Sequence, residues 1–371
     1  MKPPSIANNR MKTGSHRIVG SGLFALDIVV RTDGMVLPPA LGGSAGNVLS
    51  ILGAMGWKPT PVGTLGDDFA AKIVRRDFAK VKADLRFIQP SAERDTPVVY
   101  QHQMPSQNDR THRFSFACPN CGTRRAPHWD EEGLTAAACS ALPKASVFFF
   151  DRPTLLGVAL AEYHKQSGAL VVFEPSAIGD DQNLFARAVR SSHIIKYADD
   201  RISCLAAFDL QSVLVEIQTC GADGLRFRAP SIANRWMRLG AYNLPYVQDT
   251  AGSGDWCTAG MIFDLFDGGA NPKMITDHNI LTRALTFGQA LSTLNCMTEG
   301  ARGLLATWSP SRIIRSAREL STLRLNTHCV KSLQLSTRVS ELCLEALAYD
   351  ASQRTTMARS DAGSLPCCPT F

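Results

Sequence analysis

A rhythm that sets in after Ala145 constrains this chain more than any single motif. Short apolar runs, "SVFFF", "ALVVFEP", "HIIKY" and "SVLVEIQT", alternate with segments whose apolar residues recur at helical spacing. The runs are too short for helices, are rich in β-branched and aromatic residues, and leave no polar face. They read as buried strands. Strands of that kind, alternating with helices, require a parallel sheet covered on both sides. The rhythm runs to about Leu305, with no internal repeat.

The residues before Ala145 fit the same plan with an addition. A strand-like "HRIVGSGLFALDIVVRT" is followed by the turn-rich "DGMVLPPALGGSAGN" and a helical "VLSILGAMGW". In "PTPVGTLGDDFAAKIVRRDFAKV" a short strand leads to a helix that Asp67 or Asp68 can cap. From Thr96 to Phe116, β-rich ends around a polar middle read as a hairpin. The first residues carry Lys2, Arg10, Lys12 and Arg17 and no acid, and 1–16 reads as a flexible arm. After about Ser311 come helical patterns, then a polar, irregular end, so 311–371 reads as a partly disordered appendage outside a core that closes without it.

Bulk properties exclude several classes. No apolar run approaches the length needed to span a bilayer, and no basic start joined to a long apolar stretch marks a secretory leader. A net charge of +6, not gathered into long basic runs, suits anionic small-molecule ligands better than nucleic acid or a membrane. Eleven cysteines, an odd number scattered through apolar segments, read as reduced thiols of a cytoplasmic protein. "CPNCG" has zinc-knuckle spacing, but a closed site needs four ligands and no second such pair exists. His112, His128 and Cys139 are the nearest candidates. Zinc is therefore not expected at Cys118 and Cys121, which read as a thiol pair in a turn.

Four motifs carry chemistry. "GSGLFA", Gly20 to Ala25, has dinucleotide spacing, but "LDIVVR" after it is not helical and no acid lies between Asp33 and Asp67. A Rossmann site is excluded, and the absence of Gly-Lys-Ser/Thr excludes a Walker loop. "ALGGSAGN" pairs Gly42 and Gly43, which permit close backbone approach, with Asn47, which both donates and accepts. Asp27 can accept from two hydroxyls of a polyol. "TCGADG" ends the strand "SVLVEIQ", where a parallel sheet binds ligands, and it also reads as a tight hairpin turn. "DTAGSGD" places Gly252, Ser253 and Gly254 immediately before Asp255, at the start of a small-residue helix. Amides there favour an anion, while Asp255 can handle a proton.

In this order and spacing, "GGSAGN" with "GTLGDDFA", then "TCGADG", then "DTAGSGD", the chain resembles the ribokinase-like (PfkB) carbohydrate kinases from Arg17 to about Leu305. The resemblance implies an α/β fold. This would be a three-layer α/β/α sandwich with a mostly parallel central sheet, over 17–310, and a small β lid from segments near 28–42 and 94–120. It implies ATP- and Mg²⁺-dependent phosphoryl transfer to a hydroxyl of a sugar or nucleoside, and a homodimer through the lid. Asp255 would be the general base and the Gly252-Ser253-Gly254 amides the anion hole. Asp27, Gly42, Gly43 and Asn47 would hold the sugar, and Thr219, Gly221 and Gly224 the nucleotide. Asp249 would bind a monovalent cation such as K⁺.

Three departures stand out. Ser253 replaces a usual alanine, a small change. Ser44 stands where the ribokinase version has lysine, which disfavours ribose. In "KYADDR", Ala198 and Arg201 stand where an Asn-x-x-Glu segment organises Mg²⁺, leaving Asp199 or Asp200 to serve through water. That last departure keeps a second reading open: a kinase-fold sensor that binds sugar or nucleotide with weak or no turnover.

Overall fold

The computed structural model describes residues 16–107, 110–129, 136–230, 233–269, 275–326 and 329–357. The expected N-terminal arm, but for His16, and the final irregular residues lie outside these. The runs of the sequence rhythm are strands of one eight-stranded sheet. It takes β1 (Arg17–Ser21), β4 (Lys58–Pro61), β9 (Val147–Phe150), β10 (Leu170–Phe173), β11 (Ile194–Ala198), β12 (Val215–Thr219), β13 (Leu225–Ala229) and β14 (Ala233–Leu239). From one edge the order is β4, β1, β9, β10, β11, β12, β13, β14; pairing is parallel as far as β12 and antiparallel beyond it.

The period of a strand decides which layer each residue joins. Val147 and Phe149 of β9 face one core, and Phe148 and Phe150 the other. The first core is covered by α1 (Ser44–Ala54), α6 (Ser253–Asp267) and α7 (His278–Cys296). The second is covered by α4 (Leu155–Gln166) and α5 (Gln182–Arg190). Short helices α3 (Ala136–Ala141) and α8 (Gly303–Thr307) complete the layers. The result is a three-layer α/β/α sandwich.

A second, four-stranded sheet joins β3 (Ala40–Gly42), β2 (Ala25–Val30), β7 (Val98–Gln107) and β8 (Arg110–Ser115), in that order. It falls on both segments expected to form the lid, and β7 and β8 form the expected hairpin. Strands β5 (Gly63–Gly66) and β6 (Ile88–Ser91) pair in parallel before and after α2 (Phe69–Lys80). Of the two acids offered as caps for α2, Asp68 does it: its Oδ1 accepts from the Ala71 amide at 2.8 Å. Beyond the sheet, α9 (Pro310–Leu325) buries Ile313, Ala317 and Leu320, and α10 (Cys329–Met357) buries Val339, Leu342, Cys343 and Ala346, all in the first core. No described helix is long and apolar enough to cross a membrane.

Candidate active site

Parallel strands deliver their carboxyl ends to one edge of the sheet, and the polar residues of interest collect there. Gly22 follows β1, Asp151 follows β9, Glu174 follows β10, Lys196 points in from the middle of β11 to the start of α6, and Thr219 ends β12. Two helices begin at the same edge and pack on each other. Gly43 caps α1 at φ 78°, and Gly252 caps α6 at φ 72°, a conformation a side chain would strain. A Cβ on Gly252 would also lie 2.4 Å from the Ala301 carbonyl oxygen, so this glycine is required by packing as well as conformation.

Asp255, in the first turn of α6, sits where the two helix starts meet. Ser44 Oγ donates to its Oδ1 at 2.5 Å, and Asn47 Nδ2 donates to its Oδ2 at 2.7 Å. Burial, then the neighbouring Glu174 carboxylate, pushes its pKa up to about 7, against those two hydrogen bonds and the charge of Lys196. Asp27 is tied to the same helix start: the Gly43 amide donates to Asp27, and the next residue, Ser44, donates to Asp255. Burial raises Asp27 to about 7 as well, opposed by Arg302. Gly42 leaves room for this carboxylate, since a Cβ there would lie 1.8 Å from Asp27 Cγ. Asp27 Oδ1 and Asn47 Oδ1 are buried acceptors with no hydrogen-bond partner. Buried acceptors of that kind carry a desolvation cost until a donor arrives, and a ligand hydroxyl is such a donor.

The sequence motifs did not reveal several residues here. Lys196, only 1% exposed, pairs with Glu174 Oε1 and also donates to the Gly254 carbonyl at 3.1 Å. Glu174 Oε2 accepts from Thr258 Oγ1 at 2.5 Å, one turn further along α6. Burial opposes the Lys196 charge, but Glu174, with Cys257 and Asp255, offsets it and the pKa is raised. Asp151 accepts from the Leu23 amide at 2.9 Å and from the Ala45 amide at 3.2 Å, tying the start of α1 to β9. Arg302 donates to the Leu41 carbonyl and lies 3.8 Å from Asp77. The one signal available in the sequence was a charge inside or just after an apolar run, as in "HIIKY" and "VVFEP".

The Ser253 amide is engaged by the Thr250 carbonyl at 3.2 Å. Of the motif's backbone donors, the amides of Gly252, the N-cap, and of Gly254 and Asp255, in the first turn of α6, lack an intrahelical acceptor by position. Thr219, Gly221 and Gly224 lie at the hairpin turn between β12 and β13, the second of the two readings of "TCGADG". A Cβ on Gly224 would meet the Leu239 carbonyl oxygen at 2.2 Å, whereas the space at Gly221 is open. Asp199 and Asp200 are exposed just past β11; the Asp199 amide donates to the Thr219 carbonyl at 3.0 Å, and its carboxylate engages the Cys220 thiol. These acids therefore stand beside the turn, and exposed carboxylates of this kind suit a hydrated Mg²⁺ on a nucleotide. Among the described residues no group of three or more His, Cys, Asp or Glu could hold a metal by itself.

Asp249 is arranged differently from a cation ligand. Its Oδ1 faces the Ala251 amide at 3.0 Å and His112 Nδ1 at 3.2 Å. Its Oδ2 accepts from Gln101 Nε2 at 2.7 Å and from the Gly300 amide at 3.0 Å. Burial alone would raise its pKa, but these donors hold it below the usual range. Four donors fill the lone-pair positions of one carboxylate, so K⁺ does not fit at Asp249 in this arrangement. The contacts instead tie the second sheet to the loop before α6. Gln103 Nε2 to Glu299 Oε1, at 2.7 Å, and the Arg31–Glu299 ion pair add to that tie. Cys118 is buried in the second sheet's core, Cys121 is exposed beside Thr123, and Cys139 lies in the core under α4, so these thiols are spread over different surroundings.

No family model and no curated protein matches the sequence. Solved structures do. A fructokinase from Xylella fastidiosa with bound ATP aligns at TM-score 0.65 and 16% identity, covering 82% of this chain and 99% of that one. An aminoimidazole riboside kinase from Salmonella enterica, complexed with aminoimidazole riboside and an ATP analogue, aligns at 0.61 and 19%, covering 81% and 100%. A ribokinase from Arabidopsis thaliana, complexed with ribose and ATP, aligns at 0.60 and 14%, covering 82% and 99%. The fold is that of the ribokinase-like carbohydrate kinases.

Proposed function

We propose that this chain, which has the ribokinase-like fold, is an ATP-dependent kinase that phosphorylates a hydroxyl of a sugar or nucleoside. The observation that carries the reading is the pocket around Asp255. A carboxylate poised near neutral pH stands at the start of a helix, next to two buried acceptors, Asp27 Oδ1 and Asn47 Oδ1, that lack donors. An alcohol supplies those donors. Asp255 takes the proton from the attacking hydroxyl, a contribution of roughly 10²–10⁴-fold. The Gly254 and Asp255 amides, with the dipole of α6, stabilise charge on the transferring phosphoryl group. Thr219, Gly221 and Gly224 contact the nucleotide phosphates. Asp199 and Asp200 would hold a hydrated magnesium ion on the nucleotide, which would supply neutralisation of phosphate charge. No step needs a monovalent cation at Asp249.

The chain works in the cytoplasm in this reading, and the second sheet serves as the surface of a homodimer. One observation favours the alternative, a nucleotide- or sugar-binding sensor: Asp199 is engaged with Cys220 and has no asparagine or glutamate beside it. ADP release from Mg·ATP over a panel of sugars and nucleosides separates the two. Turnover with at least one acceptor is expected. Binding of ATP and of an acceptor by calorimetry, with no ADP release from any member, would establish the sensor instead.

A further inference from the structure

Lys196 and Glu174 form a buried ion pair that takes no part in the chemistry just described. Burying such a pair gains little stability over an apolar replacement of similar volume, so its place in the fold asks for another account. Glu174 follows β10 and Lys196 is the central residue of the adjacent β11, and both reach the same helix. Lys196 holds the Gly254 carbonyl at 3.1 Å, and Glu174 holds the Thr258 hydroxyl at 2.5 Å, four residues further on. The peptide unit joining Gly254 to Asp255 is planar and trans, so fixing its carbonyl also fixes the direction of the Asp255 amide. The pair packs directly on this residue: a Cβ on Gly254 would lie 3.5 Å from both Glu174 Oε1 and Lys196 Nζ, an ordinary contact.

We infer that Lys196 and Glu174 are a positioning pair for phosphoryl transfer, which grips the first turn of α6, aims the anion-binding amides and sets one charge of each sign against Asp255. The inference rests on the kinase reading and names the device that tunes its base. Glu174 disfavours the ionised form of Asp255, and Lys196 favours it. The other charged group facing Asp255 is Arg302, before α8; Cys257 lies near Lys196 on the same helix, and Asp151 near Glu174. Removing either member of the pair thus moves the Asp255 titration in a known direction, and the two directions are opposite.

The full chain labelled with aspartate ¹³C at the side-chain carboxyl allows that titration to be followed by NMR without any ligand. Asp255→Asn, Asp27→Asn and Asp151→Asn assign the raised aspartate transitions, those of Asp255 and Asp27 expected at about 7 and that of Asp151 raised by burial. Lys196→Met should raise the Asp255 midpoint and Glu174→Gln should lower it. The double variant, which leaves no buried charge unpaired, should fall between them and below the wild type. It keeps the test available if a single variant fails to fold by circular dichroism. Turnover of Lys196→Met with the best acceptor of the panel should drop on the order of 10²-fold, with the KM for ATP little changed. Midpoints that stay put, or that move the same way in both variants, would overturn the inference. Turnover of Asp255→Asn reads the underlying assignment separately: full activity there removes the base, whatever the midpoints do.

Discussion

Asp255 carries opposing influences within a few ångströms, and its behaviour follows from which of them wins. Burial and Glu174 outweigh Ser44, Asn47 and Lys196, so the acid is held up near 7. A base must be ionised to accept a proton, so turnover should climb as pH rises and level off above about 7. A pH profile of kcat that is flat from 5 to 8 would mean the limiting step does not use this group. Asp27 belongs to the acceptor side of the pocket. Asp27→Ala should weaken sugar or nucleoside binding by about 1–3 kcal/mol while ATP binding survives. Calorimetry showing equal loss of both ligands would point to unfolding instead. Asp255, Asn47 and Asp27 were legible in the sequence because motif spacing carries them. Lys196, Glu174, Asp151 and Arg302 were not, because their partners lie far away in the chain, 58 residues for Lys196 and Gly254. Nothing local marks such a pairing.

Helix starts and strand ends are the elements that build the pocket, and glycine is what lets them meet. The sequence pattern gave the strands because each is apolar on both faces, and it located the start of α6 from its glycines. It did not reveal that Ser253's amide is used by Thr250, nor that Asp249 is filled by donors from the second sheet. The first is a local turn contact that motif spacing does not specify, and the second depends on how two sheets dock, which periodicity does not encode. The two glycines around Ser253 differ in what they require. Gly252→Ala places a side chain at φ 72° and against Ala301, so a loss of more than about 1 kcal/mol in urea unfolding is expected. Gly254→Ala meets only ordinary contacts and should leave stability unchanged or slightly higher. Equal losses in the two variants would contradict this account of the helix start.

For the whole molecule, one sheet edge gathers two helix starts, five strand ends and the tie to the second sheet, and the proposed chemistry sits there. The segment after the sheet divides into unequal parts. Leu320 of α9 and Ala346 of α10 lie in the first core, whereas the residues beyond 352 are polar and few of them are apolar enough to repay ordering. Deleting 352–371 should leave the melting temperature and ADP release essentially unchanged, and loss of folding would place that end inside the domain. Asp255→Asn tests the central claim most directly, since it keeps side-chain volume and hydrogen bonding while removing the base. Measured with the best acceptor, kcat should fall by at least about 10²-fold, with nucleotide affinity by calorimetry little changed. Turnover within a few-fold of wild type would take Asp255 out of the reaction, and the kinase reading of the pocket with it.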